Sequence, residues 1–183
     1  MTVPSTYKSV IKRYKSCPED IRKFYEAFED LVNDYTYEVS IAYCFLKLEQ
    51  AYNRTLYGGV RKMRKVHTEI ARSVMDKQHL TRDGFLELYE NVYGRSLPDT
   101  LVRNIKFAEK IRDRIIHGKK VGDKDARKCL VDILAFSEGL ESEVKAIASF
   151  SPYADMRGLT GKSTSLDKTT SRWVMKGMGF AVS

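Results

Sequence analysis

Between Ala126 and Ile147 the chain holds to one pattern: Ala126, Leu130, Ile133, Ser137, Leu140, Val144 and Ile147 follow one another at alternating spacings of four and three. Only a helix returns such positions to a single face, so this stretch reads as one long helix, from about Asp123 to Ser149. Its seam packs in a bundle or against another subunit. No strand-like alternation of useful length occurs, and there is no internal repeat. The expected fold class is therefore all-α, an up-and-down helical bundle of about five helices.

The other helices follow from the same periodicity. Ile21, Phe24, Phe28, Leu31, Tyr35, Ala42, Phe45 and Tyr52 mark a long helix opening at Cys17-Pro18-Glu19-Asp20, running to about Asn53 and stopped by Gly58-Gly59. Met63, His67, Ile70 and Val74 indicate a second over about Val60 to Lys77. Thr81 caps a third, buried through Phe85, Leu88, Tyr89 and Val92 and ended by Gly94. A fourth starts near Pro98-Asp99 and closes at Gly118.

Beyond Ser151-Pro152 the composition shifts to Gly, Ser, Thr and Lys. The expected organisation is a bundle over 1–150 and a partly ordered tail over 151–183. Within that tail, Leu166, Thr170, Trp173 and Val174 share a face of a short docking helix.

Composition narrows the function classes. Thirty-two Lys and Arg against 24 Asp and Glu give a formal charge of +8, which favours a polyanionic partner such as RNA. Cys17, Cys44 and Cys129 are odd in number and far apart, so they form neither a disulfide framework nor a zinc set, and a reducing compartment fits. The start lacks an apolar signal region, and no run approaches the roughly 18 apolar residues of a membrane span. A cytoplasmic protein without membrane contact, metal or cofactor is expected.

The fourth helix carries an anomaly. At about 100° per residue, with Leu101 at zero, Ile105, Ala108, Ile115 and Ile116 all fall within about 60° of that origin. Arg112 falls near +20°, inside the apolar stripe, where a guanidinium must find a partner or line a cleft. His117 falls near 160°, at the last position before Gly118. Asp113 lies four residues earlier on the same face, placed to orient the imidazole. Arg, Asp and His grouped at one helix end are the parts needed to cleave RNA without a metal: His moves protons and Arg neutralises the phosphorane. One histidine does not supply both an acid and a base, whereas two chains about a two-fold axis would.

The segment Arg112-Asp113-Arg114-Ile115-Ile116-His117 resembles the Arg-x(4–6)-His motif of the HEPN superfamily, with Arg112 at the motif arginine, Asp113 at its polar neighbour and His117 at the motif histidine. The resemblance implies a helical bundle, a homodimer assembled around the motif, and metal-independent endoribonuclease activity giving a 2′,3′-cyclic phosphate. It also implies a toxin or phage-defence role with a neutralising antitoxin or other regulatory partner. Some members of the superfamily are not nucleases. A non-catalytic module binding RNA, a nucleotide or a partner protein is accordingly the alternative, with Arg112 as an anion clamp. The structural reading of the pair is a plain helix terminus, with His117 at the last carbonyls and Arg112 bridging to an acid.

Arg61, Lys62, Arg64 and Lys65, with Lys119, are the remaining candidates for RNA contacts, against the simpler reading of a solvated face. His67 reads as a structural histidine, and His79, beside a turn, has no role. Gly161-Lys162-Ser163 is not a phosphate-binding loop, because Met156 stands where the pattern needs glycine. Tyr7, Tyr14, Tyr25, Tyr35, Tyr37, Tyr43, Tyr52 and Tyr57 crowd the first third of the chain. They serve either packing or base stacking.

Overall fold

The computed structural model describes residues 4–78, 80–160 and 164–182; His79 and Gly161-Lys162-Ser163 lie outside them. The described residues are all-helical, without a strand. They form nine helices rather than about five: α1 (Tyr7–Lys15), α2 (Glu19–Phe24), α3 (Phe28–Asp34), α4 (Tyr37–Lys62), α5 (Thr68–Met75), α6 (Arg82–Tyr93), α7 (Asp99–Ile116), α8 (Asp123–Ala148) and α9 (Lys168–Gly177). The chain divides into two compact units, Met1–Leu48 with Pro98–Ser142 and Glu49–Leu97 with Glu143–Ser183, so that residues 151–183 fall in the second.

In the first unit, α8 is the central element. Every residue from Cys129 to Ser137 is buried, as in a helix enclosed on all sides. The seam anticipated there is buried by the chain itself from Ala126 to Val144. Helix α7 runs antiparallel to it. An ideal Cβ on Gly139 would lie 2.2 Å from Leu101 Cδ2, the Cys129 thiol donates to the Ala108 carbonyl at 3.6 Å, and Lys128 sits 3.9 Å from the centre of the Phe107 ring. Glycine at 139 is thus what lets α7 approach this closely.

The long helix expected from Pro18 to Asn53 is broken twice. Tyr25 leaves helical geometry (φ −97°, ψ 43°), and Tyr35 is extended (φ −127°, ψ 175°). Tyr25 is wholly buried and shares a 3.0 Å hydrogen bond between its hydroxyl and that of Ser137. Of the expected stripe, Ile21, Phe24, Phe28, Phe45 and Tyr52 are buried, whereas Tyr35, at the second break, and Ala42 are exposed. Helix α1, unforeseen in the polar lead, begins with a capping box between Thr6 and Ser9 and packs on α3, where the Tyr14 and Phe28 rings stack at 4.8 Å.

In the second unit, Gly58-Gly59 does not stop α4. Ideal Cβ atoms there would lie 2.2 Å from Phe150 Cζ and 2.5 Å from Val92 Cγ1, so the two glycines serve close packing inside a helix that continues to Lys62. The turn comes later, with Lys65 at φ 57°, and α5 starts at Thr68 rather than near Val60. His67 lies at the N-cap of α5 and not inside a helix: its Nδ1 accepts from the Glu69 amide at 3.3 Å, and its own amide donates to Ser171 Oγ at 2.8 Å. Helix α6 matches its expected limits, with Thr81 accepting from the Gly84 amide and Gly94 at φ 76°.

Helix α9 docks through a face other than the expected one. Ser171 and Met175 are buried, whereas Trp173 is 71% exposed. One apolar Met beside a small Ser lets the helix lie close to α5, and the Leu166 amide donates to the Lys65 carbonyl at 2.8 Å.

Candidate functional site at the end of α7

Helix α7 buries Ile105, Ala108 and Ile111. It ends in a Schellman turn, with the Gly118 amide bonded to the Ile115 carbonyl at 2.9 Å and the Lys119 amide to the Arg114 carbonyl at 2.8 Å. Gly118 has φ 66°, the left-handed conformation that glycine adopts without strain. His117 is the last residue before that turn and its side chain is exposed, as are Lys119 and the neighbouring Ile116, which is 69% exposed.

The apolar-stripe position of Arg112 has a physical outcome. The guanidinium carbon lies 4.8 Å from the centre of the Phe45 ring of α4, and Nε and Nη2 donate to Asp113 Oδ1 at 3.2 and 3.0 Å. Its side chain stays 30% exposed. Stacking on an aromatic face leaves part of the donor fork open to solvent. The Asp113 carboxylate is thus engaged with Arg112, and its link to His117 runs through the backbone, from the His117 amide to the Asp113 carbonyl at 3.0 Å. Arg114 donates to the Lys120 carbonyl at 2.7 Å and stabilises the turn.

One feature of α7 was missed although its signal is in the sequence. Arg103, Lys106, Lys110 and Arg114 recur at spacings of three and four and are all exposed. At about 100° per residue they span about 80°, within about 40° either side of a common line, and His117 falls inside that span. Successive cations are about 5 to 6 Å apart along the axis. The helix therefore presents a basic row that ends at the imidazole.

The other basic candidates are placed differently. Arg61, expected on a solvated face, is buried, and its guanidinium donates to the Val66 carbonyl, to Ser165 Oγ at 3.0 Å and to Thr160 Oγ1 at 3.3 Å. Lys62 Nζ donates to the Ser149 carbonyl at 2.7 Å, and Arg64 clasps the Val92 carbonyl at 3.1 and 2.8 Å. Lys65 is exposed. These residues lie where the chain turns from α4 to α5, and the heads of Arg61, Lys62 and Arg64 hold a carbonyl of that turn and carbonyls at the C-terminal ends of α8 and α6.

Each unit has a sizeable hollow beside these elements. In the first, a space of about 770 Å³ is lined by Tyr7, Tyr35 and Tyr37 with Asp34, Glu38 and Asp123. In the second, a space of about 480 Å³ includes Arg61, Arg72 and Arg157. Among the described residues no cluster of His, Cys, Asp or Glu suits a metal ion. No described helix is long and apolar enough to cross a membrane. The three thiols are buried, and burial raises all of them, Cys17 to about 12.

Comparisons with protein-family models, with curated proteins and with solved structures each return no match for this chain.

Proposed function

We propose that the chain is a metal-independent endoribonuclease of the HEPN kind, acting as a homodimer in which the bundle brings two α7 ends together. The observation that carries this reading is the row of Arg103, Lys106, Lys110 and Arg114 leading along one exposed face to His117. A formal charge of +8 agrees with it. Phosphates along such a row would deliver the backbone to the imidazole.

In the reaction, one His117 takes the proton from a ribose 2′-hydroxyl while its oxygen bonds to the neighbouring phosphorus. The bond to the 5′-oxygen breaks, and the second His117, protonated, returns a proton to that leaving group. Arg112, with part of its fork open, stabilises the extra negative charge on the phosphorane. The product is a 2′,3′-cyclic phosphate. Asp113 acts on Arg112 in this scheme, holding the guanidinium over Phe45. Exposed Ile116 beside His117 gives the dimer an apolar contact. A cytoplasmic toxin or defence effector restrained by an antitoxin belongs to the same proposal.

One observation favours a second reading. Arg112 already has a carboxylate partner in Asp113, which suits a non-catalytic module that binds RNA along α7 without cutting it. The purified protein incubated with RNA in EDTA, beside His117→Ala and Arg112→Ala, separates the two. Cleavage by wild type and loss in both variants supports the nuclease. Equal binding by all three without cleavage supports the module.

A further inference from the structure

We infer that the hollow bounded by the end of α4, the start of α5 and residues 155–160 is a binding site for a small phosphorylated ligand, with Arg61 and Arg72 holding the phosphate. This site is separate from the end of α7 and does not depend on ribonuclease activity.

Charge carries the argument. Arg61 is only 7% exposed, yet its acceptors are a carbonyl and two hydroxyls, all neutral, and among the described residues no carboxylate pairs with it. An arginine does not release its proton to escape burial, so an uncompensated positive charge stays at the edge of the cavity. Arg72, exposed on α5, lines the same space and has no carboxylate partner among the described residues either. Arg157 and Asp155, also in the wall, neutralise each other, and that pairing holds the Asp155 carboxyl below its ordinary range.

Two uncompensated guanidinium groups remain, matching the charge of about −1.5 to −2 that a phosphate monoester carries at neutral pH. The fork of Arg72 suits its oxygens, and Arg61 keeps its Nε hydrogen and one Nη2 hydrogen beyond the three bonds it makes to the protein. Thr68, the first residue of α5, adds a hydroxyl and the positive end of a helix dipole. The volume of about 480 Å³ lies in the range of small-molecule sites, and Tyr57, Met156 and Leu159 supply a wall for an organic portion beyond the phosphate.

Isothermal titration of the full chain with inorganic phosphate and with AMP, at matched ionic strength, tests the assignment. Saturable binding of both is expected, tighter for AMP. Arg72→Gln should weaken each by about tenfold or more, the loss of one charge-assisted hydrogen bond, while leaving the melting temperature of the free protein unchanged. His117→Ala should bind as wild type does. Absence of saturable binding at millimolar concentration, or wild-type affinity in Arg72→Gln, overturns the site. Loss of binding in His117→Ala places the anion at α7 instead. AMP no tighter than phosphate overturns the role of the Tyr57 wall.

Discussion

Arg112 and Arg61 both sit close to the end of a long helix, and the chain treats them oppositely. At Arg112 the helix closes at once through Gly118 and the polypeptide turns away, so the guanidinium lies over Phe45 with an edge in solvent. At Arg61 the chain folds back over the side chain, bringing Val66, Thr160 and Ser165 onto its donors. A basic residue is thus a surface group or a structural tie according to what later segments place above it. Helical angle alone assigns the two wrongly: the stripe position of Arg112 suggests burial, and the off-stripe position of Arg61 suggests exposure.

Stability separates them most strongly. Arg61→Ala removes a buried cation and strands the Val66 carbonyl, and should cost about 3 kcal/mol or more, since hydrogen bonds to charged groups contribute about 1.5 to 3 kcal/mol each. Arg112→Ala, partly exposed, should cost less than about 1 kcal/mol. Urea denaturation of both variants checks the difference, and equal losses would break the contrast.

The glycines sharpen it at the next level. Gly58→Ala drives a methyl into the Phe150 ring inside α4 and should destabilise by about 1 to 3 kcal/mol. Gly118→Ala meets open space and pays only for its positive φ, about 1 kcal/mol, while redirecting His117. Thermal melts of the pair should rank them in that order. A Gly118→Ala variant as damaged as Gly58→Ala would mean that the α7 end is packed after all.

Solution electrostatics give a smaller effect. If the exposed row on α7 meets phosphates, the Lys106→Gln/Lys110→Gln double variant should bind single-stranded RNA more weakly and reduce the slope of log affinity against log salt by about 1.4 units. Lys62→Gln, whose ammonium already holds the Ser149 carbonyl, should leave that slope unchanged. The reverse pattern would move the RNA contact to the turn between α4 and α5.

The smallest effect concerns a buried acid. Burial in α8 raises the Asp132 carboxyl above its ordinary value near 3.8, and the Lys128 ammonium offsets this only in part. The native state therefore holds that proton more tightly than the unfolded chain. The stability it contributes is fully present below the ordinary carboxylate value and is lost as pH rises through the raised one. Asp132→Asn should remove this slope from a pH series of denaturation midpoints, and an identical series in the variant would show that Asp132 does not titrate differently on folding.

Much of this contrast was legible in advance. Thr81, Gly94, Pro98 and Gly118 set the limits of α6 and α7 because caps and left-handed turns are local chemistry. The place of His117 off the apolar stripe at the helix end followed from spacing, as did the need of Arg112 for a partner or a cleft, whereas its contact with Phe45 did not. The pairing of Asp113 with Arg112 was not legible, because adjacent and four-apart partners compete for one carboxylate. The basic row on α7 was visible but unread. The grouping of Arg61 with Arg72 and residues 155–160 carries no local signal, since about a hundred residues of chain intervene.

By itself the sequence determined that the chain is helical, that α8 buries the face from Ala126 to Val144, and where α6 and α7 stop, because those outcomes depend on neighbours within a turn or two. Tertiary structure alone decided that Gly58-Gly59 would be a packing surface instead of a stop, that α9 would dock through Ser171 and Met175 with Trp173 outside, and that Arg61 would be enclosed. Each of these depends on what a distant segment places against the site, and hydrophobic spacing along one helix holds no record of its partner.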